Sequence, residues 1–114
     1  LVGSEMCIRD RGGIILEHFK ALAIHQDVLK NENYFWYSTT GWMMWNYSLS
    51  SLLLGATLCL YNGSPIYPDS GVLWRFANKA QINHFGHGAE FYQNLFNKLP
   101  LDDKSIDFSF LKTI

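Results

Sequence analysis

From Asn33 to Pro68 the chain carries no charged side chain, while Trp36, Trp42 and Trp45 stand among Tyr, Phe and Leu. Such a run must either cross a bilayer or form the buried centre of a domain. Trp42 to Leu60 is nineteen residues, near the ~20 that span a hydrocarbon core. Asn46, Ser48, Ser50, Ser51 and Thr57 interrupt it, Gly55 breaks it, and no Lys/Arg asymmetry flanks it. A buried helix followed by a buried strand accounts for the same run without lipid, and a membrane-associated segment is the alternative.

Composition narrows the choice. Charged residues are 17% against 48% apolar and 16% aromatic, the opposite of the balance that keeps chains disordered. A net charge of -1, with no local Lys/Arg cluster, gives no footprint for nucleic acid. Cys7 and Cys59 are the two cysteines, too few for a structural zinc site. Cys59 lies in the apolar run Ala56–Tyr61, where a buried, inert thiol is expected. That usage suits a reducing, cytoplasmic setting.

The two ends stand apart from the rest. Leu1–Arg11 shows neither helical nor strand periodicity and lacks the apolar stretch of a signal peptide. It reads as a translated sequencing adaptor, so residues 1–11 are set aside from fold reasoning and 12–114 form the domain segment. Asp107–Ile114 reads as the approach to a strand, which makes the chain a fragment.

Between the ends, elements alternate. Ile14 to Gln26 has helical spacing at Ile15, Phe19 and Leu22 and at Leu16 and Ala23. Tyr34–Tyr37 is an aromatic strand, and Ser38–Gly41 a turn. Trp42–Leu54 is a helix capped by Gly55, followed by a strand over Thr57–Tyr61. Pro65 and Pro68 make Asn62–Asp69 a loop. A helix over Ser70–Lys79, a strand over Ile82–Phe85 and a helix over Gly88–Lys98 follow, with Phe91 and Leu95, and Tyr92 and Phe96, at i, i+4. Pro100 and Asp102-Asp103 form a linker. This order predicts an α/β fold with a mainly parallel sheet and crossover helices.

The four His do not assemble a metal site. His18 and His25 are seven residues apart, roughly 10 Å along a helix axis, too far to share an ion bonded at about 2 Å. His84 and His87 have no Cys, Asp or Glu close by in sequence. No Gly-x-Ser-x-Gly elbow is present, and no Gly-rich phosphate loop with Lys. The informative segment is Tyr37–Asn46, where a Thr-Thr-Gly turn ends a strand and bulky residues open a helix. Ligands collect at such carboxyl ends of parallel strands. Plain core packing of these aromatics is the competing explanation.

Gly12–Lys20, Phe35–Asn46 (Phe-Trp-Tyr-Ser-Thr-Thr-Gly-Trp-Met-Met-Trp-Asn), Leu54–Thr57 and Leu60–Asp69 together resemble the acetoacetate–CoA ligases. These belong to the AMP-forming acyl-CoA synthetase superfamily. Trp74, His84–Gly86 and Phe108–Ile114 follow in the matching order, so the resemblance covers Gly12 to Ile114. It implies part of the large N-terminal, AMP-binding domain of an adenylate-forming enzyme. It also implies an activity that joins acetoacetate, ATP and CoA, with Mg2+, through an acyl-adenylate. No catalytic residue falls in this segment by the resemblance: the phosphate loop, adenine site and adenylation Lys belong elsewhere. Thr40, Gly41, Trp42 and Met43 match the border of the acyl pocket. Gly63, Ser64 and Pro65 match a loop near the CoA entrance, and His87, Gly88 and Ala89 a helix start along the CoA tunnel. His87 stands where a small hydroxyl residue is expected. The partners implied are small molecules, with neither nucleic acid nor membrane. Another short-chain acyl-CoA synthetase is the alternative within the superfamily, and a stand-alone interaction domain the alternative outside it.

Overall fold

A computed structural model describes residues 11–96, 107 and 109–114. Helix α1 spans Arg11–Lys20 and runs directly into one π-helical turn, Ala21–His25. The helix expected over Ile14–Gln26 therefore begins earlier, at Arg11, the last residue of the stretch set aside. Its inward positions are His18 and Leu22, whereas Ile15, Leu16 and Phe19 are exposed. The wider turn lets Val28 N–H reach Leu22 O at 3.0 Å and brings Val28 into the core beside Leu22.

Strand β1 is Asn33–Trp36, β2 Thr57–Leu58 and β3 His84–Gly86. They form one parallel sheet in the order β2-β1-β3, the architecture the alternation of elements predicts. β1 sits in the middle, with Asn33 opposite Thr57 and Trp36 opposite Gly86. Thr113 forms a parallel bridge with His84, and Phe85 N–H donates to Thr113 O at 3.0 Å. The strand approach expected over Asp107–Ile114 is present only as this single bridge to the edge of β3. The linker residues Pro100, Asp102 and Asp103, and the end of the helix expected to reach Lys98, lie outside the described residues.

Alternating side chains of β1 supply both faces of the sheet. Tyr34 joins Leu22, Val28 and Ala56. Phe35 joins Leu73, Trp74, Ala77, Ile82, Phe85 and Phe91. The second group is built by α3, Val72–Lys79, and α4, Ala89–Phe96. Asp69 fixes the start of α3: its Oδ1 accepts from Gly71 N–H at 2.8 Å and its Oδ2 from Arg75 at 2.9 Å.

The charge-free run divides into short pieces. Helix α2 covers Met43–Leu49 and tightens into a 3-10 turn over Ser50–Leu54. Buried Ser48 and Ser51 donate back to Trp45 O (2.9 Å) and Ser48 O (2.7 Å), which satisfies hydroxyls that would be costly to bury unpaired. Gly55 ends the turn at φ 77°, the left-handed conformation. Among the described residues no helix is long and apolar enough to cross a membrane.

Two glycines set opposite limits on substitution. A Cβ on Gly86 would lie 1.9 Å from Trp36 Cε3, so the indole occupies the space a side chain needs. Gly12, inside α1, has nothing within 4 Å of that position. Gly86→Ala is expected to destabilise the protein by about 1–3 kcal/mol through overpacking. Gly12→Ala should instead stabilise it by roughly 0.5–1 kcal/mol through helix propensity. Urea unfolding of the two variants, with opposite shifts of the midpoint, checks this.

Candidate functional site

The carboxyl ends of β1 and β2 open onto a cavity of about 370 Å³. Its lining comes from two segments, Phe35 to Thr40 leaving β1 and Leu60 to Gly63 beyond β2, with Trp45 of α2 closing one side. This is where a parallel sheet collects ligands, because the strands end there and the backbone turns away. Thr40 and Gly63, which the sequence places in separate groups, meet in this one cavity. Ser64 and Pro65 do not line it; Ser64 Oγ instead accepts from Ile66 N–H at 3.4 Å. Gly41 has open space around it. Trp42 and Met43 are 71% and 54% exposed and do not line the cavity. Trp42 is extended (φ -105°, ψ 149°) as the residue preceding α2, which directs the wall-forming role to Trp45, inside the helix.

A second cavity, about 220 Å³, lies at the end of β3. His87, Gly86, Tyr92 and Trp36 are among its lining, and Phe35 and Trp36 border both cavities. His87 is held face to face between Tyr37 (centroids 4.9 Å apart, planes 3°) and Phe91 (4.0 Å, 19°). Gly88 N–H donates to His87 Nδ1 at 2.7 Å. The amide at the start of α4 is therefore taken by a side chain of its own loop. Gly88 and Ala89 are exposed. Burial lowers the pKa of His87.

Tyr37, the first residue of the informative segment Tyr37–Asn46 but not one of the residues that the resemblance assigns to a pocket, joins these parts. Its hydroxyl donates to Gly63 O at 2.9 Å, while its ring stacks on His87. One side chain thereby ties the end of β1, the loop after β2 and the turn after β3. Its position as the last aromatic before Ser-Thr-Thr-Gly was the available signal.

Two other His, His18 and His84, are packed into the interior. His18 is buried, with Nδ1 2.9 Å from Ser50 Oγ and its ring edge-on to Tyr47; burial lowers its pKa. His84 is 2% exposed, stacks on Tyr34 and places Nε2 2.8 Å from Glu32 Oε2. Lys112 Nζ reaches Glu32 Oε1 at 2.7 Å. Cys59, expected to be buried, is only half-buried, and burial raises its pKa.

No protein-family model matches the chain. Sequence and structure comparisons nonetheless agree with each other. A curated acetoacetyl-CoA synthetase of Danio rerio is 40% identical over 89 residues, which are 77% of this chain and 13% of that protein. The acetoacetyl-coenzyme A synthetase of Rhizobium meliloti (strain 1021) is 42% identical over 90 residues, 78% of this chain and 14% of that protein. The solved acetoacetyl-CoA synthetase from Streptomyces lividans superposes with a TM-score of 0.72 at 42% identity, covering 75% of this chain and 13% of that one. The described fold thus matches a segment of the α/β fold of a solved acetoacetyl-CoA synthetase. More narrowly, the chain is a homologue of part of the acetoacetyl-CoA synthetases, and it spans about 13% of the length of the relatives it matches.

The Glu32 cluster generates a pH prediction. Burial opposes ionisation of Glu32, but the Lys112 ammonium and the His84 ring outweigh it and hold the carboxyl at about 2, against an ordinary 4.5. A depressed carboxyl contributes stability above its unfolded pKa and loses it as pH falls through the folded one. Stability should therefore fall between pH 4.5 and about 2. Glu32→Gln should flatten that slope and cost about 1–2 kcal/mol at neutral pH, since Lys112 is partly exposed. Unfolding curves across this pH range measure both effects.

Proposed function

We propose that this chain is the acyl- and CoA-facing part of an acetoacetate–CoA ligase. The reaction is ATP + acetoacetate + CoA giving acetoacetyl-CoA, AMP and pyrophosphate. The observation that carries the reading is the shared cavity of Thr40 and Gly63. The resemblance assigns one of these residues to the acyl group and the other to CoA, and thioester formation requires those two groups to meet. A space of this size falls in the ordinary range for small-molecule sites.

In this reading Thr40 and Gly41 border the acyl group, and Trp42 and Met43 complete the wall with segments other than the described ones. Gly63, Ser64 and Pro65 stand at the CoA entrance, and His87, Gly88 and Ala89 along its tunnel. Acetoacetate differs from butyrate by a 3-keto oxygen, so selection needs a donor for that oxygen, and the Thr40 hydroxyl is our choice. ATP and Mg2+ belong to the same proposal. Among the described residues no three His, Cys, Asp or Glu gather as a metal set. Residues 12–114 are assigned to the AMP-binding domain, residues 1–11 lie outside it, and the cytoplasm is the proposed location.

The test is acid-dependent pyrophosphate release by the full-length protein. Acetoacetate should be preferred over butyrate; a preference for butyrate would favour another short-chain acyl-CoA synthetase. Thr40→Val should lower the acetoacetate-to-butyrate ratio of kcat/KM about tenfold, the worth of one neutral hydrogen bond. Trp42→Gly should extend the range toward medium-chain acids. An unchanged ratio and an unchanged chain-length profile in these variants would make Thr40–Trp42 core packing. Residues 12–114 alone, which carry no Gly-rich phosphate loop with Lys, should release no pyrophosphate.

A further inference from the structure

Tyr37 follows β1 directly, and strand alternation puts it on the Phe35 side of the sheet, packed against that hydrophobic group. Its backbone N–H donates to Gly86 O at 2.9 Å, which extends the pairing of β1 with β3 by one residue. The root of the side chain is therefore fixed by the sheet, while its outer part reaches two other segments. The hydroxyl donates to Gly63 O at 2.9 Å. The ring lies face to face on His87, with centroids 4.9 Å apart and planes at 3°. His87 rests in turn on Phe91 of α4, with centroids 4.0 Å apart.

Gly63 also folds closely over its own loop. A Cβ there would lie 3.0 Å from Tyr61 Cε1, and the Tyr61 ring packs on Phe76 of α3 at 5.3 Å. Segments that leave strands are ordinarily the mobile parts of a fold. Here a hydrogen bond and a stack tie the loop after β2 and the turn after β3 to one side chain, and so to each other. In the ligase reading Gly63 belongs to the CoA entrance and His87 to the CoA tunnel. Their fixed spacing then reduces the ordering that CoA must impose when it binds. We propose that Tyr37 is a positioning residue for CoA: through Gly63 and His87 it holds the entrance loop and the tunnel turn in the arrangement that CoA binds. The inference rests on the ligase reading and adds to it a residue that the resemblance leaves without a role.

Two variants of the full-length enzyme test it. Tyr37→Phe keeps the stack and removes the bond to Gly63, whereas Tyr37→Leu removes both. KM for CoA should rise about fivefold in Tyr37→Phe and by about a further fivefold in Tyr37→Leu. KM for acetoacetate, KM for ATP and the acetoacetate-to-butyrate ratio of kcat/KM should stay as in the wild type. Without ligand, the backbone amides of Leu60–Ser64 should exchange faster in Tyr37→Phe than in the wild type. A substitution that only destabilises the fold reduces the active fraction, so kcat falls and every KM stays put. That pattern overturns the proposal, as does a common rise of all three KM values or unchanged exchange at Leu60–Ser64. A changed acid ratio with an unchanged KM for CoA would place the phenol, which lines the larger cavity, against the acid and also overturn it. Should Tyr37→Leu fail to fold, Tyr37→Phe alone decides. A wild-type enzyme inactive with acetoacetate, ATP and CoA would sink the ligase reading itself, and this proposal with it.

Discussion

Strand β1 is paired on both edges and buried on both faces, and the remaining elements are positioned through it. Its edges hold β2 and β3 in parallel register. Its alternating Tyr34 and Phe35 are each about 1% exposed and anchor two separate hydrophobic groups. A central strand of a parallel sheet must be apolar on both faces. That requirement explains why the charge-free run begins here. Close approach at its end adds a further constraint: Trp36 lies so near Gly86 that no side chain fits between them.

The candidate site is the continuation of this strand. Beyond Trp36 the chain leaves the sheet through Tyr37 and the Ser-Thr-Thr-Gly turn. Tyr37 then gathers the neighbouring loops by its hydroxyl on Gly63 and its ring on His87. Rings clamped by stacking lose little entropy when a ligand arrives, so a site built this way is largely formed in advance. The Glu32, His84 and Lys112 cluster lies at the other end of the same strands and ties the last residues to the sheet.

Local pattern made the parallel α/β class and the order of elements legible. The aromatic strand Tyr34–Tyr37 and the Gly55 cap both fall within a residue of where the structure puts them. Strand ends were less legible. The strand expected over Thr57–Tyr61 stops at Leu58, because Leu60–Gly63 turns away to line the cavity. The π-helical turn at Ala21–His25 was hidden, since spacings of three and four serve a regular helix equally well. The resemblance grouped Thr40 with Trp42 and Met43. Backbone geometry parts them, because the residue before a helix points differently from those within it. The stack of Tyr37, His87 and Phe91 joins residues far apart in sequence, and no local signal encodes it.

The turn after β1 and the loop after β2 form one cavity, and its occupation by ligand is open to direct measurement. Backbone amide hydrogen exchange of the full-length protein, with and without acetoacetate and CoA, tests it most directly. Tyr37–Gly41 and Leu60–Ser64 are expected to gain protection together on adding the ligands. Protection confined to other parts of the protein, with exchange in these two segments unchanged, would contradict it.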